Sequence, residues 1–458
     1  MKIAIVGGGI AGLSAARRLE SLLPDAELVL VERIGVLGGK LRTERVDGFL
    51  VEAAADSFLS RKERGVELCE ELGLADELVG RRPEHQGTFV RRGRELYPLP
   101  EGLTGMIPTN LGALEESALL STEGALRYAS EPDVAPGGGD EDEPIAAFVS
   151  RRFGREAYDA FFEPLVTGIY GGDGELLSLR ATFPQLRELE HAHGSLLRGL
   201  RASSQRATTT PPFVSLRSGM GTLVARLVAR LERTRTLTGR TATRVRRDPS
   251  GYEIELNDGE TLVVDGIVLA TPAFATAELV TDLDTDLAEL HAEIPYGSSV
   301  VVTLGFADDD ALSLDGYGYV VPRTERTDVL ACTWSSQKWE GRAPRGAALA
   351  RVYAGRFGDR DLTTAPDGEL VALVRDELRL VGVAADPILV RVQRWSRGMP
   401  QYVLGHLDRI ERIEAALHEH PGLAVAGAAY RGVGIPDCIR SGEDAAESVA
   451  RALAPARA

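Results

Sequence analysis

The chain is poor in cysteine, lysine and net positive charge, and each shortage narrows what it does. Its 458 residues include three cysteines, Cys69, Cys332 and Cys438. They are scattered and form no C-x-x-C pair, so neither a disulfide framework nor a cysteine zinc site is expected, and a reducing cytoplasm fits. Lysine occurs only at Lys2, Lys40, Lys62 and Lys338, so the cations are almost all arginine. A net charge of -16 speaks against nucleic acid as the partner, because phosphates need cationic neutralisation. It leaves room for a local basic pocket that takes an acidic small molecule. His191/His193 and His418/His420 pair at a spacing that turns side chains to different sides of a helix, and no metal site is expected. No apolar run reaches the roughly 18 residues of a membrane span. The opening "MKIAIVGGG" is broken by glycine too early for a signal peptide.

The length calls for two or three domains rather than one core. "KIAIV" reads as a buried parallel strand, "GLSAARRLESLL" as a helix and "AELVLVE" as a second strand, which makes a βαβ unit. The stretches 131–144 and 201–212 read as exposed loops. Between them "IAAFVSRRFGREAYDAFFEPLV" has helical spacing. "TATRVRRD", "YEIELNDGETLVVDGIVLATP" and "SVVVTLGFA" read as strands with a turn at Asp258-Gly259.

Gly7, Gly9 and Gly12 form G-x-G-x-x-G between a strand and a helix, and Glu32 follows twenty residues after Gly12 at the end of the second strand. The glycines permit a tight turn, close approach of a pyrophosphate and helix–strand packing; the carboxylate suits a ribose hydroxyl pair. Gly38-Gly39-Lys40 gives a second backbone segment that can reach the same dinucleotide, and the stretch around it, "VERIGVLGGKLRTERVDGFLVEAAADSF", resembles the amine-oxidase and protoporphyrinogen-oxidase group of flavoproteins, which implies FAD rather than NAD. At the far end, "YRGVGIPDCIRSGEDAAESVARAL" (430–453) repeats the pattern of glycine loop and helix. The N-terminal unit holds only the ADP half of FAD, so amides at Gly432, Val433 and Gly434 and the following helix are expected at the redox ring, where negative charge accumulates on reduction.

The strings "ADSFLSRK" (55–62), "LYPLPEGLTGMIPT" (96–109), "FFEPLVTGIYGGD" (161–173), "ACTWSSQKW" (331–339), "RWSRGMPQYVLGH" (394–406) and "GVGIPDCI" (432–439) run over nearly the whole chain. They resemble the protoporphyrinogen/coproporphyrinogen oxidase family, nearest its Gram-positive-type coproporphyrinogen III oxidase branch. The resemblance implies an α/β fold (α+β overall) of amine-oxidase/protoporphyrinogen-oxidase type. A Rossmann-like FAD-binding domain is expected from 1–80, 211–275 and 393–458. A strand-rich substrate domain is expected from 81–110 and 276–392, with a helical insertion at 111–210. It implies noncovalent FAD held by Gly7, Gly8, Gly9, Ile10, Ala11, Gly12, Glu32, Arg33, Gly39, Lys40, Asp56, Ser57, Val245, Trp395, Val433, Gly434 and Ile435. Ala54-Ala55 stands where the family has Gly-Pro. Gly168 matches a position facing the macrocycle and Tyr353 one near the flavin. Arg61, Lys62, Arg91, Arg92 and Arg94 are candidates for the substrate's propionates.

The reaction so implied removes six electrons from coproporphyrinogen III in three hydride transfers to flavin N5, with molecular oxygen as acceptor and hydrogen peroxide as product, in haem biosynthesis. The cofactor carries that chemistry, so no catalytic side chain is assigned. Protoporphyrinogen IX oxidation and flavin amine oxidation are the alternatives; the second would call on Lys338 near the ring. A flavin-free prenyl-protein carrier shares the fold and would be colourless. Contact with a membrane surface or a ferrochelatase-like partner is left open.

Overall fold

A computed structural model describes residues 1–454 apart from 101–102, 105, 138, 140, 204–210 and 313–314. Strand β1 (Lys2–Val6), helix α1 (Ile10–Leu22) and strand β2 (Glu27–Glu32) form the expected opening unit. Both strands are almost wholly buried, because helices and a second sheet cover their two faces. They belong to a five-stranded sheet in the order 234–238, β2, β1, 266–269, 423–425, with every pairing parallel. Three segments far apart in the chain therefore build one sheet. The strands 242–248, 251–256 and 261–264 form an antiparallel layer beside it, with the turn at Gly259 as expected.

The helical run that follows residue 144 is broken at Gly154 and widens by one turn at Tyr158–Phe162 before helix α2 (Glu163–Tyr170). Its core is aromatic: Tyr128, Phe148, Phe153, Tyr158, Phe161 and Phe162 are all fully buried. The stretch 131–144 is not simply an exposed loop. Glu131 is fully buried, accepts from the Arg152 guanidinium (2.8 Å), and takes the amides of Leu196 (3.0 Å) and Leu197 (3.2 Å) that open the next helix. An acidic composition suggested solvent, but one carboxylate serves a helix N-terminus and a buried arginine together. Of the second expected loop, 204–210 lie outside the described residues and 201–203 end a helix.

A seven-stranded sheet has the order 389–400, 296–306, 348–354, 329–334, 318–320, 89–92, 95–98. We label 348–354 as β3 (Ala348–Ala354) and 389–400 as β4 (Leu389–Pro400). One face, with Val300, Val302, Ala350 and Val352, packs under helix α3 (Asp367–Leu380) through Leu370, Val374 and Leu378. The other face is turned towards the first domain and the insertion. The last helix among the described residues is α4 (Ile435–Leu453), which lies against α1.

Candidate active site

The loop from β1 to α1 is closed on its inner side and open on its outer side. A Cβ at Gly12 would lie 1.9 Å from the Gly7 carbonyl oxygen, so only glycine lets helix and strand meet; a Cβ at Gly9 would touch nothing within 4 Å. The first-turn amides of α1 face that open side without an acidic side chain among them, as an anion site requires. Glu32 accepts the Gly8 amide (2.7 Å) on one carboxylate oxygen and the Ile34 amide (2.9 Å) on the other. Each oxygen keeps a lone pair for a ribose hydroxyl. The Gly38 amide donates to the Gly8 carbonyl (2.8 Å) and Gly39 packs on the Gly9 backbone, so the second glycine pair stands directly on the first loop. Arg33 is exposed beside Glu32. The Val245 side chain is fully buried in the core, so any ligand contact there falls to the main chain of its edge strand.

Helix α4 reaches this loop through another close approach: a Cβ at Gly442 would lie 2.0 Å from the Ala11 carbonyl oxygen. Seven residues separate Gly442 from Ile435, so the start of α4 projects about 10 Å beyond the crossing point. The two helix N-termini are thus set apart, with spacing that suits different parts of one elongated ligand. Within the closing loop the expected set of three free amides is corrected. Gly432 donates to the Tyr402 hydroxyl (2.8 Å) and Gly434 to the Asp437 carboxylate (3.1 Å), which leaves the Val433 amide for a ligand. Lys62 holds Asp437 from the other side (2.7 Å), and the Lys40 ammonium donates to the Gly398 carbonyl.

Between these ends, residues 53–57 are clamped. Trp395 donates its indole N–H to the Ala53 carbonyl (3.0 Å) and Arg351 donates to that of Ala54. Asp56 is buried and accepts from Ser57 (2.8 Å) and the Trp339 indole (3.1 Å); Lys338 lies 3.4 Å away and Arg351 3.6 Å. Burial alone would raise the Asp56 carboxyl, but the two cations and two hydrogen bonds hold it well below the usual carboxylate range. Lys338 has a single carboxylate set against burial and the repulsion of Arg351 and Arg81, so its ammonium is drawn below the lysine range. The Asp56 carboxylate is thus consumed inside the protein.

Strand pairing sets the second wall. Tyr353 on β3 lies opposite Val301 and Ala331, Ala331 opposite Val320, and Val320 beside Val90, so the five side chains share one face. That face meets the insertion: Gly168 on α2 approaches Val320, while Leu165, Ala331 and Val433 are half-buried along the insertion's core. The result is an apolar wall running from Tyr353 to the Val433 amide. Tyr353 keeps accessible surface although protein surrounds it, and burial pushes its hydroxyl up to about 12.

The expected cations divide. Arg91 is one residue out of phase with Val90, so it points to the opposite face, fully buried against Glu377 (2.6 Å) and Glu325 (2.8 Å). It is not a cavity cation. Arg92 donates to the Leu119 carbonyl (2.6 Å) and Arg94 is exposed at a hairpin turn. Arg61 is exposed and makes no hydrogen bond or ion pair among the described residues. Sequence reasoning missed Arg351, the Asp56 partner Trp339, and the buried Glu163–Arg356 pair (3.0 Å) that ties α2 to the large sheet. Trp339 lies inside "ACTWSSQKW", so the string was visible although its role was not.

The family model for flavin containing amine oxidoreductases matches residues 10–450. The chain belongs to that family. Coproporphyrinogen III oxidase of Bacillus subtilis (strain 168) is 34% identical over 97% of this oxidoreductase and 96% of its own length. The enzyme of the same name from Staphylococcus aureus (strain NCTC 8325 / PS 47) is 33% identical over 98% of each chain. A crystal structure from Exiguobacterium sp. 255-15, provisionally assigned as a protoporphyrinogen oxidase, matches with a TM-score of 0.89 at 33% identity, over 98% of both chains. Within the family the oxidoreductase is similar to the Gram-positive-type coproporphyrinogen III oxidases, as its sequence strings implied, and its fold is of the expected amine-oxidase/protoporphyrinogen-oxidase type.

Proposed function

We propose that this flavin oxidoreductase oxidises coproporphyrinogen III to coproporphyrin III, with noncovalently held FAD and molecular oxygen as acceptor. The observation that carries the reading is the apolar wall from Tyr353 through Ala331 and Val320 that ends at Val433 of the closing loop, whose amide has no acceptor among the described residues. A flat macrocycle and a redox ring would meet there. The open side of Gly9, the Glu32 lone pairs and the first-turn amides of α1 suit the ADP half, and Val433 suits the ring. Bound FAD supplies hydride acceptance, three times per porphyrin, with three oxygen molecules leaving as hydrogen peroxide. The protein orients the ring, holds the macrocycle and excludes water. Cys438, beside the closing loop, is buried and its thiol is pushed up to about 12, which supports noncovalent attachment because the thiolate is the reactive form.

Among the described residues no helix is long and apolar enough to cross a membrane. A cytoplasmic enzyme that meets its substrate in water, or at a membrane surface, accords with that.

Coproporphyrinogen carries two propionates where protoporphyrinogen carries vinyls. Of the candidate cations, Arg61 is exposed and makes no ion pair among the described residues, whereas Lys62, though exposed, is paired with Asp437 and would have to share its charge. Discrimination through such exposed pairs is worth about 1 kcal/mol or less each. Porphyrin formation followed by Soret absorbance under air, with each substrate in turn, tests the reading. The expected result is a higher kcat/KM for coproporphyrinogen III. Equal or better turnover of protoporphyrinogen IX overturns the substrate and leaves the flavin oxidase standing.

A further inference from the structure

In the second half of "RWSRGMPQYVLGH", Tyr402 and His406 are buried and belong to neither the apolar wall nor the phosphate loop. Tyr402 is 1% exposed, and its hydroxyl does two jobs: it donates to the Ala428 carbonyl (2.7 Å) and accepts the Gly432 amide (2.8 Å). Its ring stacks on the imidazole of His406 at 3.9 Å and 13°. His406 is fully buried, with Nε2 2.9 Å from the Tyr430 carbonyl, so Nε2 carries the proton and donates it. Two stacked rings therefore grip three main-chain groups of residues 428–432, the turn that leads from strand 423–425 into the closing loop. The same segment holds the insertion on its other side. The Tyr402 carbonyl accepts the Ser178 amide (2.8 Å), Leu404 donates to the Leu176 carbonyl (3.1 Å), and the Gln401 amide donates to the carbonyl of Tyr170, the last residue of α2.

We infer that Tyr402 is a positioning residue for the redox half of the cofactor, with His406 as its brace. By taking the Gly432 amide, the hydroxyl fixes the peptide next to Val433, whose own N–H has no acceptor among the described residues. This rests on the reading that the closing loop meets the flavin ring. Tyr402 lies behind the loop, 1% exposed and with its hydroxyl taken up by main-chain groups, so it presents no surface to either ligand. Loosening it therefore acts on the oxidised–reduced balance of the ring, where a donor matters most because charge develops there, and leaves substrate affinity alone.

The test is Tyr402→Phe in the FAD-loaded protein, which keeps the ring and its stacking and removes the hydroxyl. The midpoint potential is measured by reductive titration against a reference dye, which needs no porphyrinogen. The expected result is full FAD content with a lower potential. A tenfold loss of preference for the reduced ring corresponds to about 30 mV for a two-electron couple. The kcat falls while KM stays within about twofold. His406→Phe keeps a stacked ring but gives up the bond to Tyr430, and it shifts the potential in the same direction, so the inference does not hang on one variant folding. An unchanged potential in both folded variants overturns it, as does a raised KM at unchanged potential. Wild-type protein that binds no FAD defeats the proposed function and this inference together. Normal coproporphyrin formation with an unmoved potential in the variants defeats only the inference.

Discussion

Replacing Asp56 by Asn removes a charge and little else, and its cost follows from the surroundings. The carboxylate is 8% exposed, with Lys338 at 3.4 Å and Arg351, itself 1% exposed, at 3.6 Å. At an effective dielectric constant near 20 each pair has about 5 kcal/mol of gross attraction. Much of that offsets desolvation of the ions, so the pairs themselves add little net stability. Removing one partner is different, because the partly buried Lys338 and the buried Arg351 then lose their nearest counter-charge, at a cost of up to about 3–5 kcal/mol. Against a total stability of about 5–15 kcal/mol this is a large fraction. Urea denaturation of the FAD-loaded protein at neutral pH should show the midpoint falling with an unchanged slope. Adding Lys338→Met to Asp56→Asn should recover a sizeable part of the loss, since the second change removes one of the stranded charges. A loss below about 1 kcal/mol, or a double variant no better than the single one, refutes the reasoning.

Glu32→Gln should weaken FAD binding by about 1–3 kcal/mol, the scale of hydrogen bonds to a charged group, and titration of apoprotein with FAD checks it. Gly442→Val places a side chain where the Ala11 carbonyl lies 2.0 Å away, so α4 must shift off α1; about 1–3 kcal/mol of stability and part of the FAD content should be lost, read by thermal denaturation and flavin absorbance. His406 is held down to about 4 by burial, against an unfolded value near 6.5. The unfolded chain thus binds the extra proton between those values and stability falls as pH drops through the window. The loss from this group should be about 2 kcal/mol between pH 8 and pH 5. His406→Gln should flatten that part of the urea-midpoint profile, and an unaltered slope removes His406 as its source.

Short-range features were legible in the sequence because their physics is short-range. Gly7, Gly9 and Gly12 with Glu32 announce a strand–turn–helix whose geometry is fixed within thirty residues, and the turn at Asp258-Gly259 is equally local. The long-range pairs were not legible. Asp56 meets Lys338 and Trp339 from 282 and 283 residues away, and Glu163 meets Arg356 across 193. Nothing in either neighbourhood specifies the other. Arg91 shows how a near miss arises: position in the chain placed it close to the cavity, but the alternation of its strand sent it to the α3 face. In the closing loop the glycines marked the right segment. The hydroxyl of Tyr402 and the carboxylate of Asp437 then decided which amide stays free, and composition is blind to that.

The account stands on a porphyrinogen reaching a flavin held at the Val433 loop. Anaerobic mixing of the yellow holoenzyme with coproporphyrinogen III, followed in a stopped-flow spectrometer, tests that directly. The predicted result is rapid bleaching of the flavin's visible band, with colour returning and porphyrin accumulating once oxygen is admitted. A flavin that keeps its colour in the presence of coproporphyrinogen III and protoporphyrinogen IX alike, yet bleaches with dithionite, contradicts it.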